Sequence, residues 1–231
     1  MIKKNNILKY YMNDQAHPKI KPGRFFIPEW YKETKPSEGP LKDIKQLPAP
    51  LSFKTCSPFL ESFTTGYIVP LQVDIAVRQT ELGPLISWTK DVDYLTKRPP
   101  HLNAKLPTPN GFSPNHYTWV THNYIKIPKG YSALFTHPLN RYDLPFLTMS
   151  GVVDGEFIMP NGNIPVFFSN TFEGIIPAGT PIMQFILFKT ENWQSIEDES
   201  IQKDGAMMQR QSQNAAYGWY RKNILKKKSY L

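Results

Sequence analysis

Two short segments of the sequence combine residue types that could bind a nucleoside or activate water. In GVVDGEF, the carboxylates of Asp154 and Glu156 flank a glycine and precede the ring of Phe157. In GTPIMQ, a Gly-Thr-Pro turn enters an apolar strand that carries Gln184. A carboxylate beside an aromatic ring can hold a nucleobase or sugar, and an ionised, oriented carboxylate can accept a proton. The same segments could equally be ordinary corners of a β-barrel.

A third segment, PLNRYDLPF, places Asn140, Arg141 and Asp143 between two prolines. Asn140 and Arg141 could contact an anion, or Arg141 could contact a neighbouring subunit. Alternatively, the segment is an Asn/Asp turn in which Arg141 pairs locally with Asp143. We prefer the local pair.

The other residues that commonly carry out chemistry give no recognisable site. Cys56 is the single cysteine, so no disulfide forms within the chain, and we expect a reducing compartment and a buried structural thiol rather than a nucleophile. On an extended strand His116 and His122 lie about 20 Å apart, too far to bind one metal ion. His137 precedes Arg141 without further metal-ligand spacing, so we predict no metal site. The sequence contains no P-loop, nucleophile elbow or dinucleotide fingerprint.

The composition indicates one loop-rich β domain. The chain has 231 residues, 40% of them hydrophobic, and 22 prolines against 13 glycines. Prolines end strands and are excluded from helix interiors. No apolar run approaches the roughly 20 residues that span a bilayer, and the N-terminal residues do not read as a signal peptide. We therefore expect no membrane association.

The net charge of +8 is concentrated toward the end of the chain, where no acidic residue follows Asp204. The basic residues of 221–228 are flanked by aromatic ones in the stretch YGWYRKNILKKKSYL, and they could contact phosphate backbones. A solvated tail, or one docked on a neighbouring subunit, remains the alternative.

Strand and turn signals divide the chain into three parts. Residues 1–50 are predicted to form an extended N-terminal arm. Residues 51–190 are predicted to form the β domain, because short strands separated by regular turns are typical of antiparallel barrels and jelly-rolls. Residues 191–231 are predicted to form a partly helical basic tail.

Several finer features are also predicted. The arm carries an aromatic cluster that we expect to pack on the body of the protein, namely Phe25, Phe26, Trp30 and Tyr31. Residues 67–89 are predicted to form a hairpin turning at ELGP, and 90–118 a long loop. Alternation in LQVDIAV predicts that Gln72 and Asp74 share the face opposite to the apolar residues.

Five segments follow one another within residues 124–189: IPKGY, HPLNR, GVVDGEF, FFSN and GTPIMQFILF. In type and order they resemble the core motifs of the dUTPase and dCTP-deaminase superfamily. The chain is also similar to phage and bacterial proteins bearing KTCxPFLESFTTGY-like and PLNRxDxPF-like segments. This similarity suggests a phage-encoded protein, and it implies a location in the cytoplasm of a host cell or in a virion. The resemblance implies a dUTPase-like β-barrel or jelly-roll-like clip, and a homotrimer with sites between subunits.

The resemblance also implies residue roles. Asp154 matches the acid that binds the sugar 3′-hydroxyl and, in the hydrolases, activates water. Phe157 falls on the tyrosine whose ring supports the sugar and base. Gln184 matches a glutamine with a phosphate or structural contact, and Glu156 is the one nearby additional acid. We expect no cofactor, with Mg²⁺ required only if the protein hydrolyses nucleotides.

The departures from the family motifs lie on the phosphate side. PLNR replaces an Arg-Ser-Ser cradle, and Pro138 removes a backbone donor, although Arg141 could still supply charge. Phe167 or Phe168 stands where the deaminase has a glutamate, and the glycine-rich closing arm has no counterpart. The sequence therefore favours a non-catalytic trimer, a structural or binding component of a phage particle or assembly. The alternative is a divergent dUTP diphosphatase or dCTP deaminase using Asp154.

Overall fold

The computed structural model describes residues 7–40, 51–158, 164–214 and 219–226. The strands within them are β1 (Lys9–Met12), β2 (Lys21–Pro22), β3 (Tyr67–Pro70), β4 (Ile75–Thr80), β5 (Gly83–Ser87), β6 (Leu95–Lys97), β7 (Tyr117–Trp119), β8 (Asn123–Lys126), β9 (Tyr131–Thr136), β10 (Phe146–Thr148), β11 (Gly151–Val153), β12 (Phe157–Ile158), β13 (Ile164–Phe168), β14 (Gly174–Ile176) and β15 (Pro181–Lys189). The helices are α1 (Glu29–Glu33), α2 (Ser57–Thr64), α3 (Ile201–Asn214) and α4 (Trp219–Asn223). Short 3₁₀ turns cover Gly23–Phe26, Phe53–Thr55 and Pro100–Asn103.

The strands form several antiparallel sheets, which confirms the mostly β class. Their strand orders are β1-β8-β12, β10-β13-β7-β6, β11-β9-β15-β3-β2 and β14-β4-β5. The long strand β15 lies between β9 and β3, and it supplies the centre of the largest sheet.

The core is rich in aromatic rings contributed by different sheets. The ring of Trp119, fully buried on β7, lies 5.3 Å from that of Phe146 and 5.7 Å from that of Phe168. Its indole N–H donates to Thr148 Oγ1 at 3.0 Å, so the one polar group of this buried ring is satisfied. Phe135 and Phe185 stack between β9 and β15 with centroids 5.6 Å apart.

The predicted hairpin is present, but the strand preceding it is interrupted. Glu81 and Leu82 form the turn between β4 and β5, as the ELGP signal indicated. Residues 71–74, predicted as part of a continuous strand, instead carry the chain from one sheet to another. Gln72 is therefore buried and donates to the Thr121 carbonyl, whereas Asp74 is exposed. The prediction that both polar residues share one face was wrong, because alternation holds only within a continuous strand.

The segment 90–118 is mainly loop, as expected, but it contains β6 and a 3₁₀ turn. β6 pairs with β7 and thereby extends a sheet on the side opposite to β13. This short strand lacks the length that sequence patterns need for recognition.

The N-terminal residues contribute to the body of the protein. β1 pairs with β8, and β2 pairs with β3. Tyr31 is 4% exposed, and Trp30 packs edge-on to Phe63 of α2 with ring centroids 5.8 Å apart. Phe25, however, is 60% exposed, so the predicted packing of the whole cluster holds for only part of it.

The described C-terminal residues contain the helices α3 and α4. None of the helices in the described ranges has the length and apolar character needed to cross a bilayer. The boundaries of the three predicted parts of the chain remain a prediction.

Candidate functional site

Gln184 is held entirely by internal hydrogen bonds. It lies on β15 between Thr136 of β9 and Ile68 of β3, and it is 1% exposed. Its amide nitrogen donates to the carbonyl oxygens of Ser62 at 2.9 Å and Thr65 at 2.6 Å. Its amide oxygen accepts from Leu139 N at 2.9 Å. Because both amide hydrogens are used within the chain, the geometry favours the structural one of the two roles implied for Gln184.

The turn that contains Asn140 is attached to the same place. Asn140 has a left-handed backbone, with φ of +58°, a conformation that asparagine adopts more readily than most residues. Its side-chain nitrogen donates to Ser62 Oγ at 2.7 Å. The turn is thus fixed to the C-terminal half of α2 by both Asn140 and Gln184.

Arg141 forms the local ion pair that the sequence suggested. Its Nε and Nη2 donate to the two carboxylate oxygens of Asp143 at 2.8 and 2.9 Å, and Nη1 lies 3.4 Å from the Phe26 carbonyl oxygen. The side chain of Arg141 is only 13% exposed. Partial burial raises the pKa of Asp143, but hydrogen bonding and charge from Arg141 outweigh it and lower this pKa below its usual value. The bidentate pair uses the same edge of the guanidinium, Nε and Nη2, that would otherwise bind a phosphate.

His137 completes a buried polar network behind the turn. Its Nε2 lies 2.9 Å from the Arg141 carbonyl oxygen, and its Nδ1 lies 3.3 Å from Thr148 N. A neutral ring with its proton on Nε2 satisfies both partners. Burial lowers the pKa of His137, which agrees with this neutral form. Thr148 Oγ1 in turn donates to the Ile182 carbonyl at 2.6 Å, so the network ends in the core.

The carboxylates of Asp154 and Glu156 stand on an exposed turn between β11 and β12. Within the described ranges neither side chain forms a hydrogen bond or an ion pair. A turn cap, in which the Asp154 carboxylate accepts from the backbone N–H of Gly155 or Glu156, is therefore not formed among the described residues. Phe157 is 49% exposed, and Lys126 Nζ lies 5.5 Å from the centroid of its ring. A general base needs a fixed orientation toward its proton, and no side chain supplies one to Asp154 in this part of the structure.

The two groups of candidate residues do not converge. Val153, which precedes Asp154, is opposite Ala133 of β9, and Ala133 is opposite Leu187 of β15. Leu187 is three positions beyond Gln184 on β15. Three residues along a strand and two strands across a sheet each amount to about 10 Å, so Val153 and Gln184 are about 14 Å apart. The family resemblance groups Asp154 and Gln184 as candidate ligand contacts. Within a single chain, however, the two residues do not lie at one site.

Cys56 is exposed, which corrects the prediction of a buried thiol. It precedes α2 at the N-cap position, where the chain turns at the surface rather than entering the core. No group of three or more His, Cys, Asp or Glu side chains in the described residues is placed to hold a metal ion.

A polar cluster that was not predicted from the sequence is formed by Asp14, His17, Lys90 and Tyr94. His17 Nε2 lies 3.2 Å from each of Asp14 Oδ2, Lys90 Nζ and Tyr94 Oη. Burial lowers the pKa of His17, although Asp14 opposes the shift. His17 Nδ1 is buried without a partner among the described residues. The spacing of Asp14 and His17 was the one sequence signal, and it is common in ordinary turns.

The described part of the basic tail returns to α2. Arg221 and Leu225 line a small cavity of about 170 Å³ together with residues that include Lys54 and Glu61. Arg221 and Lys222 are exposed, while Lys227 and Lys228 lie outside the described residues. Nucleic-acid contact by 221–228 remains a prediction.

Comparisons with known proteins gave matches among solved structures. No family model and no curated protein matches the chain. An aspartate-to-alanine variant of the Staphylococcus bacteriophage 80alpha dUTPase, with dUpNHpp, is similar over 84% of this chain and 97% of that chain, at 9% identity and a TM-score of 0.36. An aspartate-to-asparagine variant of the dUTPase from phage phi11 of S. aureus covers the same shares at 10% identity and a TM-score of 0.37. Both of these structures are phage dUTPases.

Proposed function

We propose that the protein is a non-catalytic structural or binding component that assembles as a homotrimer, in a phage particle or during its assembly. One observation carries the proposal. Gln184, Asn140 and Arg141, the residues predicted to contact a ligand on the phosphate side, are bonded within the chain. Binding a triphosphate there would require breaking these bonds, and each charge-assisted bond lost costs about 1.5–3 kcal/mol.

A surface suited to self-association lies on the sheet of β11, β9 and β15. Val152, Leu134 and Ile186 are directly opposite one another on the three strands, and Phe188 follows Ile186 on the same side. Val152 is 56% and Phe188 41% exposed, and the other two are half-buried. We call these four residues the assembly face. A contiguous apolar patch on a sheet is typical of a subunit contact, and the threefold number follows the family resemblance.

The alternative function is a divergent nucleotide enzyme that uses Asp154. The observation in its favour is that Asp154 and Phe157 both remain exposed at one turn and are available to a ligand. In such an enzyme a neighbouring subunit would have to supply the phosphate contacts. A hydrolase would also need Mg²⁺ held largely by the substrate phosphates, because the described side chains form no metal-binding group.

Two measurements on the purified full chain test the proposal. Light scattering is expected to give about 80 kDa, three times the 26.7 kDa of the chain. Titration calorimetry with dUTP, dCTP and dTTP in the presence of Mg²⁺, paired with pyrophosphate-release and deamination assays, is expected to show neither binding nor turnover. Turnover near one per second that Asp154→Asn abolishes would establish the enzyme instead. A monomer at micromolar concentration would refute the assembly.

A further inference from the structure

The sheet formed by β1, β8 and β12 presents three aromatic rings and two lysines on its outward side. Tyr11, Tyr124 and Phe157 are 60%, 39% and 49% exposed. Lys9 and Lys126 are also exposed on the same strands. We call these five residues the aromatic face. We propose that the aromatic face binds single-stranded nucleic acid, with unpaired bases stacking on the rings and phosphates contacting the lysines.

The register of the strands places all five residues on one side. Tyr11 is directly opposite Tyr124, with ring centroids 6.2 Å apart. In the next outward row, Lys126 lies between Lys9 on β1 and Phe157 on β12. The neighbouring positions Met12, Ile125 and Ile158 point inward and are buried. The rings therefore stand on a sheet anchored in the core, which gives a rigid platform rather than a flexible tail.

The charges on this face lack internal partners. Lys9 and Lys126 are directly opposite each other, and like charges in this position destabilise a strand pair. Across the described ranges, neither ammonium group forms an ion pair. Lys126 Nζ lies 5.5 Å from the centroid of the Phe157 ring, a cation–π contact that leaves it available to an anion. A phosphate backbone would relieve the repulsion between the two lysines.

The combination of rings and lysines fits a single strand better than the other occupants of an exposed sheet. Bases in a duplex already stack on each other, whereas unpaired bases stack on exposed rings irrespective of their sequence. A second copy whose twofold axis passed near Lys9 and Lys126 would place these lysines against their own equivalents, which is unfavourable. The carboxylates of Asp154 and Glu156 adjoin the Phe157 edge, so the phosphates are expected to pass on the side of Lys9. This site is independent of the assembly face, but it shares Phe157 with the turn that the alternative nucleotide enzyme would use.

Fluorescence anisotropy with a labelled oligo(dT) of about 20 nucleotides tests the proposal, since site sizes of up to about 16 nucleotides are common. We expect the full chain to bind this strand more tightly than the matching duplex. Tyr11→Ala combined with Tyr124→Ala should weaken binding about 10-fold or more, and the two Tyr→Trp changes should preserve it. Lys9→Gln combined with Lys126→Gln should reduce the slope of log affinity against log salt by about 1.4.

Matched variants separate this face from general charge and from the tail. Tyr142→Ala removes a ring that is 84% exposed outside the aromatic face, and Lys97→Gln removes an exposed charge on β6; neither should weaken binding by as much as 2-fold, roughly the scatter for surface changes. Replacing the lysines and arginine of 221–228 by glutamine should leave the effect of the tyrosine pair intact. The proposal fails if the oligonucleotide does not bind at low salt, if the duplex binds equally well, or if removing the rings has no effect while changing the tail abolishes binding. It also fails if removing the rings lowers the mass of the assembly, because the face would then be a subunit contact.

Discussion

The side-chain amide of Gln184 donates to the carbonyl oxygen of Ser62 at 2.9 Å, joining the middle of a nine-residue strand to a helix 122 positions earlier in the chain. Asn140 donates to the hydroxyl of the same serine at 2.7 Å. Helix α2, the turn at Asn140 and strand β15 therefore meet at one residue. These bonds use the side-chain donors of Gln184 and Asn140, two residues that the sequence offered as ligand contacts.

The first prediction concerns the stability of this junction. Gln184→Leu should lower the free energy of unfolding by about 3 kcal/mol or more, because the amide of Leu139 and the carbonyls of Ser62 and Thr65 lose their buried partner. Urea denaturation followed by circular dichroism measures the change. Gln202→Leu, at an exposed position of α3, is the control and should change stability by less than about 0.5 kcal/mol. Equal stability of the two variants would contradict the structural role of Gln184.

The second prediction concerns Asp154. Asp154→Asn should change the free energy of unfolding by less than about 0.5 kcal/mol, because the carboxylate is exposed and unbonded within the described residues. If the carboxylate capped the turn by accepting a backbone N–H, the same change would instead cost about 1 kcal/mol. The same denaturation experiment distinguishes the two values. A clear loss of stability would mean that the carboxylate has a partner in the assembled protein.

The third prediction concerns the assembly face. Phe188→Lys combined with Val152→Lys should shift the mass in light scattering from about 80 kDa toward the 26.7 kDa of one chain. The reason is that the subunit contact would have to bury unpaired positive charges close to one another. Ile175→Lys is the matched control, since Ile175 is 67% exposed on β14 in a different sheet. An unchanged mass in the double variant would exclude this face as the subunit contact.

The fourth prediction concerns pH. Burial lowers the pKa of both His17 and His137 in the folded chain, so the unfolded chain takes up protons more readily. Their contribution to stability is therefore fully present above the unfolded histidine pKa of about 6.5, and it is lost as the pH falls below that value. The midpoint of urea unfolding should decrease between about pH 7 and pH 5.

Two histidine variants test the source of this pH dependence. His137→Gln should make the decrease shallower, while also lowering stability at all pH values because the two hydrogen bonds of the ring are disturbed. His101→Gln, at an exposed position, should follow the wild-type profile. If His137→Gln retained the full slope, the pH dependence would have to come from other groups.

Features set by neighbouring residues could be predicted from the sequence. The alternation of apolar residues and the frequent turns indicated a mostly β protein, and the ELGP signal located the turn between β4 and β5. The close spacing of Arg141 and Asp143 indicated their ion pair. In each case the interacting groups lie within a few positions of each other, so local geometry decides the outcome.

Features that join distant parts of the chain were decided by the tertiary structure alone. The partners of Gln184 at Ser62 and Thr65 are 122 and 119 positions away, and His17 meets Tyr94 across 77 positions. The aromatic face arises in the same way, because β1 pairs with β8 and thereby places Tyr11 beside Tyr124. Sequence patterns specify which side of a strand is apolar, whereas the pairing of strands specifies which residues share that side. For this reason the sequence determined the type of fold and several of its turns, and only the packed structure determined which polar and aromatic residues remain available for binding.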